Sequence, residues 1–172
     1  IQLHPTKEFA VERFGEHGQQ DESYYVVATG HGAGTYVGFN EGIDVDEFLD
    51  EIRTSEREGT AVDYERYVHF VDSRPGTQYL LPAGTIHSSG RNQVVLEIGS
   101  LTIGSYTLRL DLNGKPRPIH SRYGSQELKR DRTAMWVDEN LVQSPRLVDQ
   151  GDGWRELLVG EHDLIYFSLR RI

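Results

Sequence analysis

The stretch GTQYLLPAGTIH, Gly76 to His87, decides how the rest of the chain reads. Its first half, TQYLL, has the aromatic and branched side chains of a β-strand. Pro82 cannot donate to a ladder and so ends that strand. Gly84 then supplies the backbone freedom of a tight turn. The turn delivers one imidazole, His87, at a strand end.

Working outward, similar strand-length runs recur at short spacing. They include SYYVVATG (23–30), GTYVGF (34–39), RYVHFVDS (66–73), QVVLEIGS (93–100), YTLRLDLNG (106–114) and LIYFSLRRI (164–172). Turn signals such as GHGAG, RPGT, LNGKP and DQGDG separate them. One helix stands out in DVDEFLDEIRTSEREG. Asp44 is its N-cap, Val45, Phe48, Leu49 and Ile52 share one face, and Gly59 ends it. A second short helix is expected near Ser125. Many short strands with one or two short helices predict an all-β antiparallel sandwich or jelly roll.

Composition narrows the function classes. The 172 residues suit a single domain, 1–172, that can bury a core. With 18 basic and 27 acidic residues the net charge is -9, which disfavours a nucleic-acid backbone as partner. Long apolar runs are absent from the sequence, so no membrane partner is expected. Zero cysteines exclude disulfides and thiolate metal sites and point to a cytoplasmic protein. The opening IQLHP reads as the middle of a strand, from which we expect a domain that lacks its natural N-terminal part.

Four stretches carry groups capable of chemistry. In IQLHP, Gln2 and His4 lie two apart, which on a strand points both to one face. Glu22 opens the strand of DESYYVV, His87 follows the Pro-Ala-Gly turn, and Glu97 lies among apolar residues in QVVLEIGS. Each alone has a plain reading as a surface or hydrogen-bonded side chain. Together one amide, two imidazoles and a carboxylate suit a nitrogen and oxygen metal site. His31, His69 and His120 are read as surface or packing residues, and Trp136 and Trp154 as core or interface aromatics.

The spacing Gly76, five residues, Pro82-x-Gly84, two residues, His87 resembles the second conserved motif of cupins. Across its whole length the chain resembles the short bacterial form of type I mannose-6-phosphate isomerases. The matching segments are QLHP (2–5), ESYY (22–25) against the family's E-x-W-Y, GTYVGFNEGIDVDEFLDEI (34–52), PAGTIH (82–87), Glu97-Ile98, Thr107 to Arg109, and YFSLRRI at the end. The resemblance implies a cupin-type double-stranded β-helix, and zinc or another divalent metal held by Gln2, His4, Glu22 and His87. It also implies Arg109 as the catalytic arginine, Glu97 as an acidic group beside it, and a small-molecule sugar or sugar phosphate as substrate. Glu97, among apolar neighbours, is read as a base raised toward neutrality by burial.

Gln20 stands where the family carries a lysine, so whether the sugar is phosphorylated is left open. Two other readings also remain open. Two histidines and one glutamate equally form the facial triad of iron(II) oxygenases, and a non-catalytic sugar-binding module would keep the fold without the turnover.

Overall fold

The computed structural model describes residues 1–100, 104–108, 111–112, 115–116, 119–120, 122 and 139–172. In chain order the elements are β1 (Gln2–Leu3), α1 (Lys7–Phe14), β2 (Glu22–Thr29), β3 (Gly34–Phe39), α2 (Val45–Glu58) and α3 (Tyr64–Tyr67). Strands β4 (Val68–Asp72), β5 (Gln78–Leu81), β6 (His87–Ser89), β7 (Gln93–Gly99) and β8 (Tyr106–Thr107) follow. Short strands β9 (Asp111–Leu112) and β10 (Lys115–Pro116) pair with each other. Then come β11 (Val142–Gln143), β12 (Arg146–Gly151), β13 (Trp154–Gly160) and β14 (Leu169–Arg171).

Two antiparallel sheets face one another, in the orders β4-β3-β6-β1-β8 and β11-β5-β2-β7. Strands remote in sequence are neighbours, as the jelly-roll expectation requires: β1 pairs with β6 and β8, and β2 with β5 and β7. Between the sheets, Val37 packs with Tyr24, Val26, Tyr79 and Leu81. Apolar residues on the other side of the first sheet, Leu3, Phe39, Val68 and Ile86, meet Phe48, Leu49 and Ile52 of α2. Successive strand residues point to opposite faces, so Ile86 turns to the helix and His87 to the interior. The third sheet, β12-β13-β14, lies against the second: Gly160 sits on Gln78 and Leu80, and Arg171 donates to the Tyr25 hydroxyl at 2.7 Å.

The α2 helix forms where its pattern places it. The Asp44 carboxylate accepts from the amides of Asp46 (2.8 Å) and Glu47 (3.4 Å), and Gly59 closes the helix at φ 70°. Three α-helices and a short 3-10 helix (Glu139–Leu141) are present among the described residues, against the one or two short helices expected. The addition at the start, α1, is capped by Thr6 and Gly15 but buries only Phe9 and Ala10. A stripe that narrow leaves little periodic signal. The LIYFSLRRI run is a strand only over Leu169–Arg171, because a turn forms where Ile165 N–H donates to the His162 carbonyl. Arg109, Trp136 and the helix expected near Ser125 lie outside the described residues. Among the described residues, no helix is long and apolar enough to cross a membrane.

Candidate metal centre

Three local devices aim the candidate ligands. Thr85 N–H donates to the Pro82 carbonyl at 3.0 Å and Gly84 holds φ 86°, which makes residues 82–85 a type II turn with glycine where positive φ is needed. That turn returns the chain into β6, whose first residue is His87. Its Gly84 amide also donates to the His4 carbonyl at 2.8 Å, which fastens the segment after β1 to the turn. Glu22 opens β2, and the pairing Glu22↔Leu81 sets it beside the end of β5.

These devices bring three buried groups together. Ligand atoms of His4, Glu22 and His87 all lie within 4.8 Å of one another, each side chain almost wholly enclosed. His4 Nε2 is 3.0 Å from Glu22 Oε1, and His87 Nε2 is 3.4 Å from Glu22 Oε2. Gln2 joins them, its amide nitrogen 3.4 Å from His87 Nε2, and turning the amide over sets its oxygen at that point. Three of the side chains singled out in the sequence, His4, Glu22 and His87, therefore meet at one spot, with the Gln2 amide beside His87.

The hydrogen bonds around the imidazoles suit a cation. His4 Nδ1 donates to the Gly104 carbonyl at 2.9 Å, and His87 Nδ1 to the Thr85 carbonyl at 2.8 Å. A carbonyl can only accept, so each ring carries its proton on Nδ1 and presents the Nε2 lone pair to Glu22. This is the arrangement in which metal-ligating histidines are held by their surroundings. His4 Nε2 is buried and, despite its closeness to Glu22, makes no hydrogen bond of acceptable geometry. An orphaned lone pair aimed at a carboxylate fits a bound divalent ion better than it fits a packed core.

Without an ion, the electrostatics hold the three groups to one another. Burial works against the Glu22 charge, but the two imidazoles outweigh it and hold the carboxyl well below its usual range. Burial likewise opposes a proton on His4, and Glu22 overcomes that to raise its pKa. Glu97 is raised, chiefly by desolvation and then by the charge of Glu22. It pairs across from Tyr24 and shares the inward side of β7 with Val95. Unlike the enclosed base expected from its sequence neighbours, Glu97 is exposed, because Val94 and Leu96 point to the opposite, open side.

Three further groups surround the site, of which the sequence singles out only Gln20. The Tyr24 ring meets His87 edge-on at 6.1 Å and its hydroxyl donates to Glu22 Oε2 at 3.5 Å. Gln20 donates to Glu22 Oε1 at 2.6 Å. Asp21 is a fully buried carboxylate whose pKa desolvation raises. A strand-start aspartate beside a polar run carries no periodic signal, so only the tertiary structure reveals it.

Known proteins place this geometry in context. No family model matches the chain. The mannose-6-phosphate isomerase of Streptococcus mutans serotype c is 27% identical over 124 residues, 70% of this chain and 36% of that protein. Among solved structures, the mannose 6-phosphate isomerase from Bacillus subtilis superposes with a TM-score of 0.70 at 22% identity, covering 99% of this chain and 50% of that one. The chain thus spans between about a third and a half of the length of these proteins. With its facing antiparallel sheets and Pro-Ala-Gly-aimed histidine, the chain shares the fold of a mannose 6-phosphate isomerase and resembles such an isomerase in sequence.

Proposed function

We propose that this chain forms the metal-binding part of an aldose–ketose isomerase acting on mannose 6-phosphate or a closely related sugar. The observation that carries this reading is the orphaned His4 Nε2 beside Glu22 and His87, inside a fold shared with a mannose 6-phosphate isomerase. His4, Glu22, His87 and Gln2 would hold the ion, zinc being the best match to a four-donor nitrogen and oxygen set. Once bound, a divalent ion supplies Lewis acidity at a sugar oxygen.

The protein's own groups handle the proton. Glu97 takes the proton from C2 of the open-chain aldose, and the released pair forms the C1=C2 bond of a cis-enediolate as the carbonyl pair moves onto O1. The C2 hydroxyl proton then passes to O1 as the C2=O bond of the ketose forms, and Glu97 returns its proton to C1. A carboxylate raised by partial desolvation and by Glu22 suits this exchange near neutral pH. Arg109, assigned from the resemblance, would steady the enediolate oxygen or the substrate's anionic end. Gln20, neutral where the family carries lysine, is the reason to test phosphorylated and free sugars side by side.

Elemental analysis of the purified chain, with a coupled assay on mannose 6-phosphate and on mannose, tests the reading. Glu97→Gln is expected to lower turnover by about 10²–10⁴-fold with metal content unchanged. Full activity in that variant removes Glu97 as the base. The two-imidazole, one-carboxylate donor set also supports an iron(II) oxygenase. Oxygen uptake by the iron-loaded chain, with no isomerisation, would favour that second reading.

A further inference from the structure

Asp21 lies one residue before Glu22 and is wholly shut off from solvent. Its carboxylate accepts from the Ala83 amide at 3.0 Å and the Gln19 side chain at 2.9 Å through Oδ1, and from the Tyr166 amide at 3.3 Å through Oδ2. Its backbone closes a second ring of bonds: Asp21 N–H donates to Ser100 Oγ at 3.0 Å, and Ser100 N–H to the Asp21 carbonyl at 2.9 Å. Three segments remote from one another, the turn that aims His87, the end of β7 and the loop before β14, therefore meet on the residue that precedes Glu22. The same turn holds the His4 carbonyl through Gly84. Only an ionised carboxylate can accept from all three donors without presenting a donor of its own.

We propose that Asp21 is a positioning residue of the metal centre, its carboxylate locking the 82–85 turn, the start of β2 and the 161–167 loop into the one arrangement that brings His4, Glu22 and His87 to ion-binding distance. This rests on the metal-site reading above. Asp21 touches no ligand side chain's donor atom and acts through the backbone that carries them. It also couples the last loop of the chain to the site, so a disturbance at Tyr166 is transmitted to the ligands.

The test measures zinc affinity by competition with a chromophoric chelator, and the visible spectrum of the cobalt(II)-loaded chain, with circular dichroism to verify folding. Asp21→Ala is expected to weaken zinc about 10–100-fold, the usual effect of removing support behind a ligand, and to change the cobalt spectrum. Asp21→Asn keeps one acceptor for Ala83 and should lose less. Ala83→Pro removes the amide donor at a turn position that proline favours, so it attacks the clamp without touching Asp21. It also decides the matter should Asp21→Ala fail to fold. Phe48→Ala, in the helix-side core, serves as the control for general destabilisation and should leave affinity and spectrum unchanged. Wild-type affinity and spectrum in Asp21→Asn and Ala83→Pro overturn the proposal, as does an equal loss in Phe48→Ala. Wild-type zinc binding by His87→Ala instead refutes the metal site itself.

Discussion

Gly84 holds φ 86° and its amide grips the His4 carbonyl, so one residue shapes the turn to His87 and tethers a second ligand. Giving that position a side chain, as in Gly84→Ala, forces a left-handed conformation at a cost of about 1–2 kcal/mol. The expected result is a lower melting temperature together with weaker zinc binding, and Asn, which tolerates this region better, should lose less. A second expectation concerns pH. His4 has a pKa raised above its ordinary 6.5, because Glu22 outweighs burial, so its stabilisation is complete below pH 6.5 and is lost as pH rises through the folded value. Glu22 is depressed from its ordinary 4.5, so its stabilisation is present above that value and lost as pH falls toward the folded one. The metal-free chain should therefore melt highest between about pH 5 and 6.5 and lose stability toward pH 8. Zinc should reverse that alkaline loss, since only neutral imidazole binds it. A metal-free melting temperature that climbs from pH 6 to 8 contradicts this assignment. His87 and His4 were legible because turn chemistry and strand alternation give direction to a side chain. Asp21 and Tyr24 were not, because burial and partners tens of residues away define what they do.

At the scale of elements, legibility follows the strength of the periodic pattern. Every buried apolar position of α2 falls on one stripe, and its capping residues flank the pattern, so the sequence marks it almost to the residue. The β3 strand was equally plain, yet its consequence was not. Between Tyr36↔Phe70 and Phe39↔Val68 the ladder gains one residue, with Gly38 at φ 69°. This bulge turns Phe39 to the side of Tyr36, against α2, while Val37 stays between the sheets. No local rule fixes where a ladder slips, so the sequence shows the strand and hides the bulge. The helix layer makes its own test. Asp44→Ala should cost about 1 kcal/mol, the worth of an N-cap. Phe48→Ala should cost about 3–5 kcal/mol, since Phe48 is fully buried against Phe39 and Tyr67. Denaturant unfolding measures both, and a Phe48→Ala loss below that of Asp44→Ala would mean that α2 does not close the core.

For the whole molecule, the candidate ligands come from the first strand and the residue after it, the start of the second strand and the start of the sixth, so a bound ion would join segments that unfolding separates. The site does not survive in the unfolded chain, and binding then adds directly to folding stability. At free zinc one hundred times its dissociation constant, the gain is about 2.7 kcal/mol. For a domain of this size each kcal/mol moves the melting temperature by about 2–4 °C, so zinc should raise it by roughly 5–11 °C. Removing the ion with a chelator should return the melt to its starting point without loss of sheet signal at low temperature. His87→Ala deletes an Nε2 that faces Glu22 and should abolish the rise, whereas Asp44→Ala lowers the baseline and leaves the rise intact. A wild-type melting temperature indifferent to zinc, cobalt(II) and chelator alike would show that these three buried side chains hold each other rather than an ion.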